Sequence, residues 1–313
     1  MQNLIKTIKP QKLKKGDRIG LVCPAGFITK EQLDKTSNIL SELGFNSFFS
    51  DNILNRQGYL AGNDKERAED INQMFINKSI KAILAVRGGY GSSRIIDLID
   101  YQTIKENPKI FIGYSDITAL LNSINKFTGL ITFHGIVGIS DFNDYTKQNF
   151  LNLFVNNLLE IKSDENISPK IINHGSAQGK LAGGNLSTIN SLLATDFEID
   201  FTDKIVFIED ISESPYKIDR MLTQLLLSGN LKKAKAIILG VFKNCDLNDD
   251  DINKQNSLSL QEIFIDRLNN LNIPVISNFS FGHIESQAIF PIGITAEINT
   301  NELFIRLLEK PFS

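Results

Sequence analysis

Short apolar runs alternate with amphipathic stretches through the first half of the chain. Apolar positions at helical spacing predict helices at 33–43, 64–75, 95–99 and 116–126. Strands are predicted at 18–23 (RIGLVC), 45–49, 82–86 (AILAV), 110–114 (IFIGY) and 130–133. Strands that read as continuous apolar runs and alternate with helices form parallel sheets covered on both faces. The first half therefore predicts an α/β domain with a parallel sheet.

The second half of the chain has a less regular pattern. It predicts strands at 205–208 and 236–242, helices at 185–194, 215–227 and 258–271, and several short strands near the end. The polar stretch 163–178 breaks the pattern and is predicted to be a linker. The chain is thus predicted to have an N-terminal α/β domain over 1–162 and a smaller, mixed α/β domain over 179–313. The Asp/Asn-rich run 247–256 is predicted to be an exposed loop.

Composition excludes several classes of protein. With 42% hydrophobic and 22% charged residues in 313, the chain has the balance of a folded protein. Its net charge of −3 provides no broad positive field for nucleic acid or an anionic membrane, so neither is expected as a partner. No run approaches the roughly 18 apolar residues of a membrane helix. The first residues lack the apolar core of a secretory signal, which predicts a cytoplasmic location.

Metal-binding side chains are scarce. Cys23 and Cys245 are far apart in the sequence and cannot form a disulfide framework or a zinc cluster. Three histidines and no CxxC motif also argue against a metal site. The sequence predicts no metal and no other cofactor.

Ser115 lies in Gly-Tyr-Ser-Asp-Ile, between an apolar run and a predicted helix. A serine at a sharp strand-to-helix turn is held clear of its neighbours, and backbone N–H groups there can stabilise an oxyanion. The usual G-x-S-x-G motif has a second glycine where this chain has Ile117. A serine before a helix is also a common N-cap, and position alone favours that interpretation of Ser115 over a nucleophile.

The Gly-rich segment 87–93 (RGGYGSS) follows a predicted strand. In a parallel sheet its loop and that of Ser115 share the carboxyl edge, so the two could contribute to one site. Consecutive glycines expose N–H groups that can bind a phosphate or an oxyanion. The segment lacks the G-K-[ST] ending of a P-loop. The alternative is a tight turn that needs a positive φ at a glycine.

A serine nucleophile needs a base and a carboxylate that orients it. The histidines are His134, His174 and His283, and each is more often structural or exposed than catalytic. His174 is the weakest because it lies in the polar stretch, and periodicity does not separate the other two. The candidate carboxylates are Glu209, Asp210 and Glu213, of which Glu209 ends an apolar strand; the alternative for all three is a solvated loop before a helix.

Taken together, these segments resemble the LD-carboxypeptidase family, the serine peptidases that also include the microcin C self-immunity proteins. The matching segments occur in the family's order over nearly the whole chain. They are Lys15-Gly16-Asp17, Pro24-Ala25-Gly26, Arg87-Gly88-Gly89-Tyr90-Gly91, Gly113-Tyr114-Ser115-Asp116, Phe133-His134-Gly135, Gly183-Gly184-Asn185, Phe207-Ile208-Glu209-Asp210, Tyr216-Lys217-Ile218-Asp219-Arg220, Phe281-Gly282-His283 and Pro291-Ile292-Gly293. One departure is Ile136, where relatives often have proline.

The resemblance implies a Ser-Glu-His triad and an acyl-enzyme mechanism. It assigns Ser115 as nucleophile, His283 as base and Glu209 as the residue that orients His283. Backbone N–H groups of Gly88, Gly89 and Asp116 would form the oxyanion hole. The family fold is an α/β N-terminal domain followed by a smaller mixed domain, with the active site between them.

The family's substrate class is the murein tetrapeptide, which loses its terminal D-alanine during cytoplasmic recycling of cell-wall fragments. Arg87, Asn185 and Arg220 are expected, by position, to bind this zwitterionic peptide. Relatives are commonly dimers, so a homodimer is expected. The rival is the immunity branch, which cleaves a peptidyl-nucleotide and often uses a stacking tryptophan. This chain has no Trp, which favours the murein peptide without excluding Phe or Tyr in that role.

Two hypotheses from other classes follow from the same segments. The first is an inactive α/β binding protein that holds a peptide or nucleotide, against which the presence of all three triad candidates argues. The second is a nucleotide-dependent enzyme that binds phosphate at 87–93. The absent Lys-Ser/Thr ending of that segment argues against it.

Overall fold

The computed structural model describes residues 6–247 and 254–313, which form two compact units. The N-terminal unit contains Met1–Leu158, Ile289–Ile294 and Lys310–Ser313, and the C-terminal unit contains Leu159–Ala288 and Thr295–Glu309. In the described parts of the chain, no helix is both long enough and apolar enough to cross a membrane. Of the run 247–256 predicted to be an exposed loop, residues 248–253 lie outside the described residues.

Strands and helices follow one another through the described parts of both units. The strands are β1 (Arg18–Val22), β2 (Asn46–Phe48), β3 (Ile80–Ala85), β4 (Ile110–Gly113), β5 (Thr132–His134), β6 (Glu160–Lys162), β7 (Lys170–Asn173), β8 (Ser176–Asn185), β9 (Lys204–Glu209), β10 (Ala236–Leu239), β11 (Val275–Ser277), β12 (Phe290–Ile292), β13 (Thr295–Asn299) and β14 (Phe304–Leu307). The helices are α1 (Lys30–Glu42), α2 (Asp64–Ile76), α3 (Tyr101–Glu106), α4 (Thr118–Thr128), α5 (Asp144–Leu151), α6 (Leu186–Ser191), α7 (Pro215–Leu227) and α8 (Leu260–Leu268).

The sheet of the N-terminal unit has the order β12-β5-β4-β3-β1-β2. All of its pairs are parallel except β12 with β5, which is antiparallel. Strands β3 and β4 are buried almost throughout, as their continuous apolar runs require. The structure confirms the predicted parallel α/β arrangement. Strand β12 lies within the range predicted for the second domain, but it pairs with β5 and belongs to this sheet. The sequence pattern did not predict this because the two strands are far apart in the sequence.

The C-terminal unit contains a mixed sheet with the order β6-β14-β13-β8-β9-β10-β11-β7. The central strands β8, β9, β10 and β11 are parallel, and the outer strands pair antiparallel. Helices α6, α7 and α8 contribute Leu186, Leu222 and Leu268 to an apolar core that also includes Val206 and Ile208 of β9. This unit confirms the expected mixed α/β architecture.

Helix α5 and strand β6 have no counterpart in the sequence pattern, and two predicted segments differ from the structure. The stretch 163–178, predicted to be a linker, contains β7 and the beginning of β8. Strand β7 is an edge strand whose residues are exposed or half-buried, so its sequence carries little apolar signal. The helix predicted at 95–99 consists of short 3₁₀ turns, and an α-helix begins only at Tyr101, where Asp100 accepts a hydrogen bond from the Thr103 N–H as N-cap.

Candidate active site

Ser115 occupies a strained turn between β4 and α4. Its φ is 62°, in the left-handed region where a non-glycine residue costs about 1–2 kcal/mol. Gly113 makes this turn possible, because a Cβ there would lie 2.6 Å from Cγ2 of Ile117. Ile117 therefore packs where G-x-S-x-G motifs have their second glycine. A 3₁₀ turn (Ser115–Ile117) precedes α4. The N-cap of this turn is Tyr114, the N-cap of α4 is Ile117, and neither makes a side-chain cap hydrogen bond. Ser115 is therefore not a helix N-cap, which was the alternative interpretation.

The Gly-rich segment packs directly against Ser115. A Cβ added to the buried Gly88 would lie 2.9 Å from Ser115 Cβ and 3.1 Å from its Oγ. Gly89 and Gly91 have φ values of 106° and 137°, which is the positive-φ turn that the sequence allowed. Within the described residues, the backbone N–H groups of Gly88 and Gly89 make no hydrogen bond. A segment that packs against the serine through Gly88 therefore has two N–H donors with no partner among the described residues.

Buried charges hold the Gly-rich segment in place. The Asp116 carboxylate accepts a 2.7 Å hydrogen bond from the Ser92 N–H, and burial raises the pKa of this carboxyl. Arg67 of α2 is 2% exposed, donates to the Gly91 carbonyl at 2.9 Å and to the Pro24 carbonyl, and pairs with Asp64. Burial lowers the pKa of this guanidinium.

Sequence analysis missed Arg67, although a signal for it was present. It is four residues before Ile71 and eight before Phe75, so a charged residue lies in the register of the buried face of α2. A buried charge needs partners, and here they are the two loop carbonyls and Asp64.

Glu209 and His283 form a hydrogen-bonded pair in the C-terminal unit. Glu209 ends β9 and is fully buried, and its Oε2 lies 2.8 Å from Nδ1 of His283, whose side chain is 16% exposed. Gly282 has a φ of 112°, and a Cβ there would lie 3.1 Å from Glu209 Oε2. Glycine before the histidine therefore allows the imidazole to approach the carboxylate. This arrangement can fix the Nδ1 tautomer and orientation of the imidazole, as the carboxylate of a catalytic triad does.

The loop that carries His283 is closed and anchored. The Ala288 N–H donates to the Ser280 carbonyl at 2.7 Å, and Gln287 Nε2 donates to the Gly282 carbonyl at 2.7 Å. Ser280 Oγ in turn lies 2.6 Å from Ser163 Oγ and accepts from the Asp164 N–H at 2.7 Å. Residues of the predicted linker therefore fix the base of the histidine loop, a role that their polar composition does not reveal.

The remaining histidines and carboxylates have other surroundings. His134 is fully buried on β5, edge-on to the Tyr114 ring, and the exposed His174 lies 3.0 Å from Asn301 Oδ1. Glu213 pairs with Lys217 at 3.1 Å. Asp210 accepts hydrogen bonds from the N–H and Oγ of Ser187 at 2.9 and 2.7 Å, and burial, then the neighbouring Glu209 charge, raises the pKa of its carboxyl.

The three residues expected to bind substrate occupy different positions. Arg87, in the N-terminal unit, donates to the Phe27 carbonyl at 2.8 Å. Asn185 is the N-cap of α6: its oxygen accepts from the Thr188 N–H, and its Nδ2 donates to Asp210. Arg220 is exposed on α7 above the Tyr216 ring and lines an open cavity of about 690 Å³ in the C-terminal unit. Asn185 thus uses both ends of its amide within the fold.

Comparison with known proteins gives consistent matches over almost the whole chain. Residues 19–135 match the LD-carboxypeptidase N-terminal domain and residues 178–298 the LD-carboxypeptidase C-terminal domain. The chain is 41% identical to the "Probable murein peptide carboxypeptidase" of Bacillus subtilis (strain 168), covering 94% of this chain and 92% of that protein. It is 30% identical to the Microcin C7 self-immunity protein MccF of Escherichia coli, with 95% of each chain covered. A solved MccF-like protein from Bacillus anthracis str. Ames superposes with a TM-score of 0.86 at 30% identity, covering 96% of this chain and 99% of that one. The chain belongs to the LD-carboxypeptidase family.

Proposed function

We propose that this protein is a serine-type LD-carboxypeptidase that releases the terminal D-alanine from murein tetrapeptide. The observation that carries the proposal is the buried Glu209–His283 pair, which has the 2.8 Å geometry of a histidine oriented as a base. The strained turn at Ser115, with Gly88 packed against it, supports a nucleophile in the same protein. The name of the 41% identical relative supports the murein peptide as substrate.

The proposed mechanism is acyl transfer with Ser115, His283 and Glu209 acting together. Glu209 holds Nδ1 of His283, so that Nε2 accepts the Ser115 Oγ proton as Oγ attacks the scissile carbonyl. The tetrahedral oxyanion is stabilised by the backbone N–H groups of Gly88, Gly89 and Asp116. His283 then gives its proton to the leaving amine of D-alanine. A water, deprotonated by His283, attacks the ester carbonyl; His283 returns that proton to Ser115 Oγ as the C–Oγ bond breaks and the tripeptide is released.

A second candidate is cleavage of a peptidyl-nucleotide, because one relative is named as a microcin C7 self-immunity protein. The two functions are separated by measuring kcat/KM of the purified protein on murein tetrapeptide and on a peptidyl-nucleotide analogue, with mass spectrometry of the products. We expect loss of one D-alanine and a kcat/KM at least 100-fold higher for the tetrapeptide. An untouched tetrapeptide beside a cleaved analogue would refute the murein assignment.

A further inference from the structure

Two arginines of the N-terminal unit lie over the same aromatic ring. The Arg56 Cζ is 3.9 Å from the centroid of Phe27, and the Arg87 Cζ is 5.7 Å from it. Arg87 Nη1 also donates to the Phe27 carbonyl at 2.8 Å, and Arg56 Nε donates to the Gly58 carbonyl at 3.1 Å. Each guanidinium is thus held by a backbone carbonyl and by the ring face. Arg56 is exposed and Arg87 half-buried, so both can meet a ligand.

A short chain of contacts links this arginine pair, defined as Arg56 and Arg87, to Ser115. Phe27 follows Gly26, whose N–H donates to the Gly88 carbonyl at 3.0 Å. A Cβ on Gly26 would lie 3.3 Å from Arg87 Nε, so the glycine gives the guanidinium room. Gly88 is the residue that packs against Ser115. Arg87 is therefore the residue directly before the glycine that packs against Ser115.

In the part of the chain that the structure describes, no carboxylate neutralises the two positive charges of the arginine pair. Among the described residues, no acidic side chain forms an ion pair with either guanidinium. The nearby arginines of α2 and the following turn differ, because Arg67 and Arg94 both pair with Asp64. Because both guanidiniums lie within 6 Å of one ring, their positive charges together attract an anion to this position. Guanidinium groups bind carboxylates through two parallel N–H bonds.

We propose that Arg56 and Arg87 together bind the terminal carboxylate of the peptide substrate. This inference rests on the proposed function, and it adds Arg56 to the expected role of Arg87. A carboxypeptidase must recognise a carboxylate close to the scissile carbonyl. Arg87 directly precedes Gly88, which packs against Ser115, and Arg56 lies over the same Phe27 ring as Arg87.

The test compares the murein tetrapeptide with the same peptide carrying a C-terminal amide, which removes only the terminal charge. Binding of both peptides is measured by calorimetry in Ser115→Ala protein, which reports affinity whether or not the protein has turnover. Arg56→Gln and Arg87→Gln are added singly to this background. The matched control is Arg18→Gln, because Arg18 also lies over an aromatic ring, 5.7 Å from Phe48, at the opposite end of β1.

We expect the acid to bind Ser115→Ala protein at least 10-fold more tightly than the amide. Each arginine variant should weaken binding of the acid about 10-fold to 100-fold, as loss of a charge-assisted hydrogen bond predicts, and leave the amide unchanged. Arg18→Gln should change neither. Equal affinity for acid and amide, no binding of the acid, or an acid preference that survives both arginine variants would overturn the proposal. If the wild-type protein bound the tetrapeptide but released no D-alanine, the proposed activity would fail, and the difference in affinity between acid and amide could still be measured.

Discussion

The contact between Gly88 and Ser115 makes Gly88→Ala the most informative single substitution. The added methyl would lie 2.9 Å from Ser115 Cβ, whereas carbon atoms in contact are normally about 3.5–4.0 Å apart. Ser115 Cβ is fixed to its backbone and cannot rotate away, so the turn must move by about 0.6–1 Å. A displacement of about 1 Å at the reacting atom costs about 100-fold in rate. We expect kcat for D-alanine release to fall about 10-fold to 100-fold.

Stability should change much less than activity in Gly88→Ala. Gly88 does not have a positive φ, so alanine fits its backbone, and overpacking one methyl costs about 1–3 kcal/mol of unfolding free energy. The matched control is Gly16→Ala, because Gly16 has a φ of 88° but no atom within 4 Å of the added Cβ. That variant should lose about 1 kcal/mol of stability and keep its kcat. The assay is kcat with urea unfolding of both variants; a Gly88→Ala kcat within twofold of wild type would refute the reasoning.

Three further outcomes are expected. Glu209→Gln keeps the shape of the side chain but no longer orients His283 as a base. The kcat should therefore fall on the order of 10³-fold with little change in KM, and an unchanged kcat would contradict the role of Glu209. Arg67→Met leaves the Pro24 carbonyl without its Arg67 donor and the Gly91 carbonyl with only the Arg94 N–H, at 3.2 Å. Urea unfolding should therefore show a loss of about 2–4 kcal/mol, and equal stability would mean that the two loops do not depend on Arg67. Burial lowers the pKa of Lys109 to about 8, below its ordinary 10.5. Since the unfolded chain then binds more protons between these values, wild type should gain stability relative to Lys109→Met as pH rises from about 8 to 10.5; a constant difference would contradict the shift.

Local patterns in the sequence predicted many strands and helices because the burial of an element determines which of its own residues must be apolar. The continuous apolar runs of β3 and β4 follow from burial on both faces. The capping box of Thr29 and Gln32 is an equally local signal that was not used, and α1 therefore begins at Lys30 and not at residue 33. Local patterns did not predict the place of strand β12. It consists of three residues, and its place in the N-terminal sheet depends on pairing with β5 far away in the sequence.

The candidate site shows the same division between local and long-range signals. Their places after predicted strands made Ser115 and the Gly-rich segment candidates, although position alone favoured an N-cap for Ser115 and only the resemblance assigned it as nucleophile. Glu209 and His283 are 74 residues apart, and only the resemblance to a family singled them out from the other carboxylates and histidines. The residues that hold the Gly-rich segment and the histidine loop in place were not predicted. Arg67 contacts the carbonyl of Gly91, 24 residues away, and Ser163 contacts Ser280 across 117 residues.

The most direct test of the account is D-alanine release from murein tetrapeptide by wild type, Ser115→Ala and the surface control Ser41→Ala, followed by mass spectrometry. The account predicts that wild type and Ser41→Ala both remove one D-alanine. Ser115→Ala, folded by circular dichroism, should be slower by at least 10³-fold because the acyl-enzyme cannot form. Turnover by Ser115→Ala at a near-normal rate would contradict the assignment of the nucleophile and the mechanism built on it.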